Sequence, residues 1–236
     1  MALQISTTID LLNAGVCVYL GVRLYRASQQ DPASKTLHNF FLIYVYLTLA
    51  YVLLVVPRML ASQQTTFLGV AFAFGNACFL MAASFFTRIV LRFTKPKWVR
   101  VVIAGYHVLI AGEFLWSLLK LAQPDMDPAT GITNWNVNLG VGTLSGILLL
   151  IVLIPGAILF MHKGLRTADN HVVRIRSITI SIGAMLLIVS LIVFYLASSE
   201  VVAVIGDLAS IGALLTVFLG VIYHRPPPLP VVQTKA

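Results

Sequence analysis

Two carboxylic acids stand inside long apolar stretches: Asp207 in VVAVIGDLASIGALLTVFLGVIYHR (201–225) and Glu113 in VVIAGYHVLIAGEFLWSLLK (101–120). A charged side chain at the centre of a membrane helix costs about 2.5–3.5 kcal/mol on insertion scales. Such a group therefore faces a protein interior or water, and its chemistry is that of a ligand, ion or proton partner. Asp207 falls about five residues from the outer end of its stretch, or about 8 Å deep at 1.5 Å per residue. Ser210 and Leu214 share its helix face, and the small residues Gly206, Ala209, Ser210 and Ala213 permit close helix packing. Asp207 reads either as an outward-facing polar site or as a carboxylate that snorkels, or is protonated and hydrogen-bonded, within a bundle.

Glu113 lies about 12 Å deep by the same rise per residue. Tyr106, Glu113 and Lys120 recur at seven-residue spacing, with Trp116 and Ser117 between the last two, so one helix face carries them. That face reads as the polar wall of an external pocket with Trp116 as an aromatic side. The competing reading is a local pairing of Glu113 with Lys120. The candidate ligand- or ion-binding residues are thus Asp207, Glu113, Tyr106, Trp116, Lys120 and Ser210, with Asn136 and Asn138 at comparable depth. The two acids could share one cavity if the fourth and seventh stretches were neighbours.

The elements that must position these groups are helices. Of 236 residues, 59% are apolar and 10% charged, with a mean hydropathy of +0.93. Soluble domains carry roughly 25% charged residues. Seven apolar stretches, approximately 8–27, 37–60, 67–92, 98–121, 136–161, 174–198 and 202–224, are long enough to cross a bilayer. Backbone groups in lipid must be paired, and the stretches are continuously apolar rather than alternating, so they are helices and not barrel strands. The predicted fold is an all-α membrane protein, a seven-transmembrane-helix bundle forming one domain over 1–225. A short proline-rich tail, 226–236, follows it and favours polyproline II. The first stretch reads as a span rather than a cleaved signal peptide. The loop 123–136 reads as turns, and only Ser199, Glu200 and Val201 separate the last two spans, which makes them antiparallel neighbours.

Basic residues fix the expected orientation. Fourteen lie in the first, third and fifth connections and the tail, and only Arg58 and Lys120 fall on the other side. The amino terminus is then outside and the carboxyl terminus cytoplasmic, in a multi-pass protein of the cytoplasmic membrane. Trp98 and Trp135 fall at the expected interfaces. The net charge of +8 is spread between spans rather than gathered on a module, which excludes nucleic-acid binding. The basic loops 88–100 and 163–176 are the surface on which a cytoplasmic or membrane partner would dock.

Cys17 and Cys78 read as small apolar residues, and His107 as a hydrogen-bonded core residue without metal partners. Asn76, Asn138, Thr143 and Ser145 read as interhelical hydrogen-bonding groups, and the phenylalanines of the third span as packing. Covalent retinal needs a lysine in the last span; all six lysines lie at loops, helix ends or the tail. The stretch VIGD (204–207) differs from the Gly-x-Gly-Asp of intramembrane aspartyl proteases, and no second aspartate stands at depth in another span. No catalytic or phosphate-binding motif is present, so neither enzyme activity nor a cofactor is expected.

LYRASQQDPASKTLHNFFLIYVYLTLAYVLL (24–54) and FFTRIVLRFTKPKW (85–98), with the short external start, resemble the seven-helix sensor region of bacterial histidine kinases. The resemblance implies a sensor or receptor-like protein that binds a small ligand. No kinase or dimerisation helix follows Arg225, so signalling would pass through a separate partner. A transporter or channel using Glu113 and Asp207, and an accessory subunit of a larger membrane complex, are the alternatives.

Overall fold

The computed structural model of the chain describes residues 5–126, 133–167, 170–196 and 200–223. It contains seven long helices: α1 (Ile5–Gln30), α2 (Lys35–Ala61), α3 (Thr65–Thr94), α4 (Val99–Leu119), α5 (Leu139–Arg166), α6 (His171–Leu196) and α7 (Glu200–Ile222). All seven are long and apolar enough to cross a membrane. The protein is therefore an all-α bundle of membrane-spanning type.

Contacts between helices define a ring. α1 packs on α2, α2 on α3, α3 on α5, α5 on α6, α6 on α7, and α7 closes onto α1. α4 stands outside this ring, against α3 and α5. Apolar stretches alone do not select that order; small residues do much of it. A Cβ on Gly183 would lie 2.8 Å from Val217 N, and one on Gly220 2.9 Å from Ile180 N. Helices α6 and α7 thus touch backbone to backbone at two levels, a geometry only glycine allows. Ser190 Oγ donates to Gly206 O at 2.8 Å in the same seam. Arg176 on α6 donates to Gly220 O and Val221 O, using carbonyls that the end of α7 leaves unpaired. The antiparallel pairing expected of the last two spans is present, although residues 197–199 lie outside the described set.

Several local readings require correction. The 123–136 segment contains a short antiparallel hairpin, β1 (Asp125–Met126) with β2 (Thr133–Asn134), in the register Asp125 to Asn134. Asn136 follows in the left-handed region, at φ 43°, and its amide is held by Asn134 Oδ1 at 3.2 Å; asparagine is among the residues that tolerate this conformation. α5 starts at Leu139 rather than 136, because Asn138 caps it by accepting from Gly140 N at 3.0 Å. Asn138 is thus a local cap and not an interhelical group, and Thr143 is exposed on α5. Trp135 is buried with Leu54, Leu68, Phe72 and Ala122 rather than placed in an exposed belt. Trp98 is half exposed. The proline-rich tail lies outside the described residues.

Candidate functional site

Arg58 changes the picture most. Counted from sequence as a charge of an external connection, it is 2% exposed and lies within α2. Its guanidinium forms a salt bridge with the carboxylate of Asp10, itself buried in α1. Arg58 Nε also donates to Leu54 O at 2.8 Å, and its guanidinium sits 5.4 Å from the Trp135 ring centroid. The hairpin segment therefore covers the end of the bundle at which Arg58 is held. Asp10 stands about 8 Å from the start of α1. Asp10 is thus a second buried aspartate, near the start of the first span, that the sequence reading did not single out.

Asp207 enters the same end from α7. It lies within electrostatic reach of both Asp10 and Arg58. Around it the polar groups form a chain. Ser210 Oγ is 2.6 Å from Asp207 O and 3.1 Å from Asn13 Oδ1, and it accepts from Tyr51 Oη at 3.5 Å. A hydroxyl has one proton, so Ser210 donates to one of its two acceptors at a time. Among the described residues no hydrogen bond reaches the Asp207 carboxylate.

Beneath this polar end lies a cavity of about 160 Å³ lined by the helices of the ring. Asp10, Tyr51, Ser210 and Asp207 line its polar end, and Phe79, Phe86, Leu149, Leu187 and Val217 are among its apolar walls. Tyr44 also borders it, and its hydroxyl donates to Leu214 O at 2.6 Å, tying α2 to α7 across the ring. Ala82 and Ala83 on α3 and Ala184 on α6 are among its walls, where larger side chains would take up space. In size it compares with engineered cavities of about 150 Å³ that admit benzene.

Glu113 belongs elsewhere. It is 1% exposed, between α3, α4 and α5. Asn76 Nδ2 and Ser145 Oγ both lie 2.8 Å from Glu113 Oε1, and Asn76 Nδ2 is 2.9 Å from Ser145 Oγ. Glu113 Oε2 and Ser117 Oγ, one helical turn on, are buried and have no hydrogen-bond partner among the described residues. Since α4 packs outside the ring and α7 closes it on the opposite arc, Glu113 and Asp207 do not share a cavity.

The rest of the predicted set divides accordingly. Ser210 lies with Asp207. Tyr106 is buried near Glu113 and donates to Leu148 O at 2.8 Å. Trp116 is largely exposed and covers Gly140, where a Cβ would meet its ring at 2.9 Å. Lys120 is exposed at the end of α4 and makes no ion pair with Glu113. His107 Nε2 lies 3.3 Å from Ser84 Oγ, and among the described residues no group of acids, histidines and cysteines is placed to hold a metal. Sequence reasoning missed Asp10, Arg58, Asn13 and Tyr51. Asp10 and Arg58 carried a usable signal: each falls inside a predicted apolar span, and opposite charges in different spans suit pairing. Comparison with known proteins yields no match to a family model, a curated protein or a solved structure.

Proposed function

We propose that this is a sensor or receptor-like membrane protein, which holds a small ligand in the cavity of its helix ring and reports occupancy through its basic loops. The observation that supports the reading is the cavity itself, apolar along its length and polar at one end. Small-molecule sites have this composition, an apolar body with a few placed polar groups that fix orientation. An accessory subunit needs no such space. The transporter alternative relied on Glu113 and Asp207 sharing a polar path, and it loses support because Glu113 is absent from the cavity walls.

The route to the loops is mechanical. α6 and α7 are locked together at Gly183 and Gly220, so they move as one body. Both line the cavity, through Ala184, Leu187, Asp207 and Ser210. A ligand that fits one bundle packing better than another shifts the population between them by its differential affinity. The shift reaches the 163–176 connection at the start of α6. We assign that loop and loop 88–100 to the cytoplasm of a cell whose cytoplasmic membrane the chain spans. Fourteen basic residues support this orientation, and Arg58 no longer counts against it, which leaves Lys120 alone on the other side.

Hydrogen exchange on the protein in lipid nanodiscs, with benzyl alcohol as a neutral probe of the right size, tests the reading. Benzyl alcohol is expected to slow exchange in the cavity walls and to change exchange in 163–176. Ala83→Trp, which fills the cavity, should abolish both effects. Protection confined to the walls, with the loop unchanged, would defeat the signalling reading, and absence of any protection would defeat the cavity reading.

A further inference from the structure

The polar end of the cavity carries an unequal set of charges, and from this we infer the chemical class of its ligand. The inference rests on the cavity reading and narrows it: the site recognises a small organic cation, an ammonium group on an apolar body, with Asp207 as the anion that receives it. The charged or titratable side chains gathered at this end include Asp10 and Cys17 from α1, Arg58 and Tyr51 from α2, and Asp207 from α7. Arg58 and Asp10 form a salt bridge, and the other Arg58 contacts, Leu54 O and the Trp135 face, turn the guanidinium away from further duty. Arg58 is 2% exposed, so it has no surface left to offer an incoming anion. Asp207 remains, a carboxylate on the cavity wall that no hydrogen bond among the described residues reaches.

One guanidinium stands against two carboxyl groups, and a monocationic ligand balances the site when both are ionised. Buried charges are stable when paired and hydrogen-bonded, and an ammonium supplies donors that Asp207 lacks. The same ligand explains the remaining walls. Phe79, Phe86 and Tyr44 present ring surface, which both accepts an apolar body and attracts a cation by its negative face. Volume sets the scale: space of about 160 Å³ suits a single ring with a short amine arm. A carboxylate-bearing ligand would meet two acids and one spent guanidinium, and it is excluded on charge.

The test compares three probes of nearly equal shape, benzylammonium, benzyl alcohol and benzoate, by thermal stabilisation of the purified protein at neutral pH. Benzylammonium is expected to bind at least tenfold tighter than benzyl alcohol, and benzoate more weakly than either. Asp207→Asn should remove the preference for the ammonium over the alcohol, and a cooperative thermal transition shows that the variant is folded. Should that variant fail to fold, the ranking of the three probes on the unaltered chain still decides. Equal binding of ammonium and alcohol, or tightest binding of benzoate, overturns the cation assignment and leaves the cavity reading standing. If none of the three binds, the cavity reading itself falls, and this inference with it.

Discussion

Breaking the Arg58–Asp10 pair should be among the most damaging single changes in this protein. Arg58→Ala removes the one cation that the described residues place at a site retaining two carboxyl groups, Asp10 and Asp207. Removing one partner of a buried ion pair costs about 3–5 kcal/mol, because it leaves the other charge uncompensated. Loss of the guanidinium contact with Trp135 adds to this rather than offsetting it, since that ring covers the end of the bundle. For a chain of this size 1 kcal/mol corresponds to roughly 2–4 °C, so the midpoint should fall by roughly 6–20 °C. The informative comparison is the double variant Asp10→Asn with Arg58→Met. It removes both charges and keeps much of the volume, and buried pairs replaced by packed apolar groups are often neutral in stability. Thermal unfolding of the parent, Asp10→Asn, Arg58→Met and the double variant in one detergent closes the cycle, with Arg58→Ala measured beside them. The double variant is expected to lie within about 1.5 kcal/mol of the parent and well above Arg58→Ala. If instead the two single losses add, or Arg58→Ala shifts the midpoint by less than 2 °C on the same scale, the pair does not carry the site as argued.

Two further outcomes follow from particular contacts. Gly183→Ala drives a Cβ to 2.8 Å from the backbone nitrogen of Val217, so α6 and α7 must separate, and the cost should be about 1–3 kcal/mol in thermal unfolding. Gly112→Ala, with nothing within 4 Å, should be neutral or stabilising by up to about 1 kcal/mol, a contrast that the same measurement reads directly. Glu113→Gln keeps an oxygen to accept from Asn76 and Ser145 and should cost under about 1 kcal/mol, whereas Glu113→Leu removes the acceptor those two donors share and should cost about 1–3 kcal/mol. Neither Glu113 variant should alter binding of probes in the cavity, because Glu113 is not on its walls.

The seven spans were legible because a bilayer leaves little choice. Twenty continuous apolar residues have one solution, and the helix ends in the structure differ from the predicted ones by a few residues. Where polar side chains end a helix, the reading was weaker. Asn138 looked like an interhelical group and is a cap; the 123–136 segment looked like turns alone and holds a hairpin. The order of helices in the ring was not legible, because every span is apolar around much of its circumference. The glycines that select neighbours, Gly183 and Gly220, mark close approach without saying to what.

The site was half legible for a related reason. Asp207 and Ser210 announced themselves by polarity inside an apolar run, and both line the cavity. Glu113 announced itself in the same way, yet its Oε1 is held by Asn76 and Ser145 outside the cavity, and a buried acid bonded within the bundle gives the same sequence signal as a binding one. What separates the two cases is the balance of partners, which only the packing reveals. Around Glu113, donors from two other helices converge on one carboxylate oxygen, at 2.8 Å each, so the sequence neighbours Trp116 and Lys120 are not needed. Around Asp207, Arg58 is already held by Asp10, and the Ser210 hydroxyl is placed against a carbonyl and Asn13. A buried charge costs the fold least when it is paired, so a ring of helices that brings two acids to one arginine is poised for a further cation. That imbalance, rather than the mere presence of an acid at membrane depth, is what marks Asp207 out from Glu113.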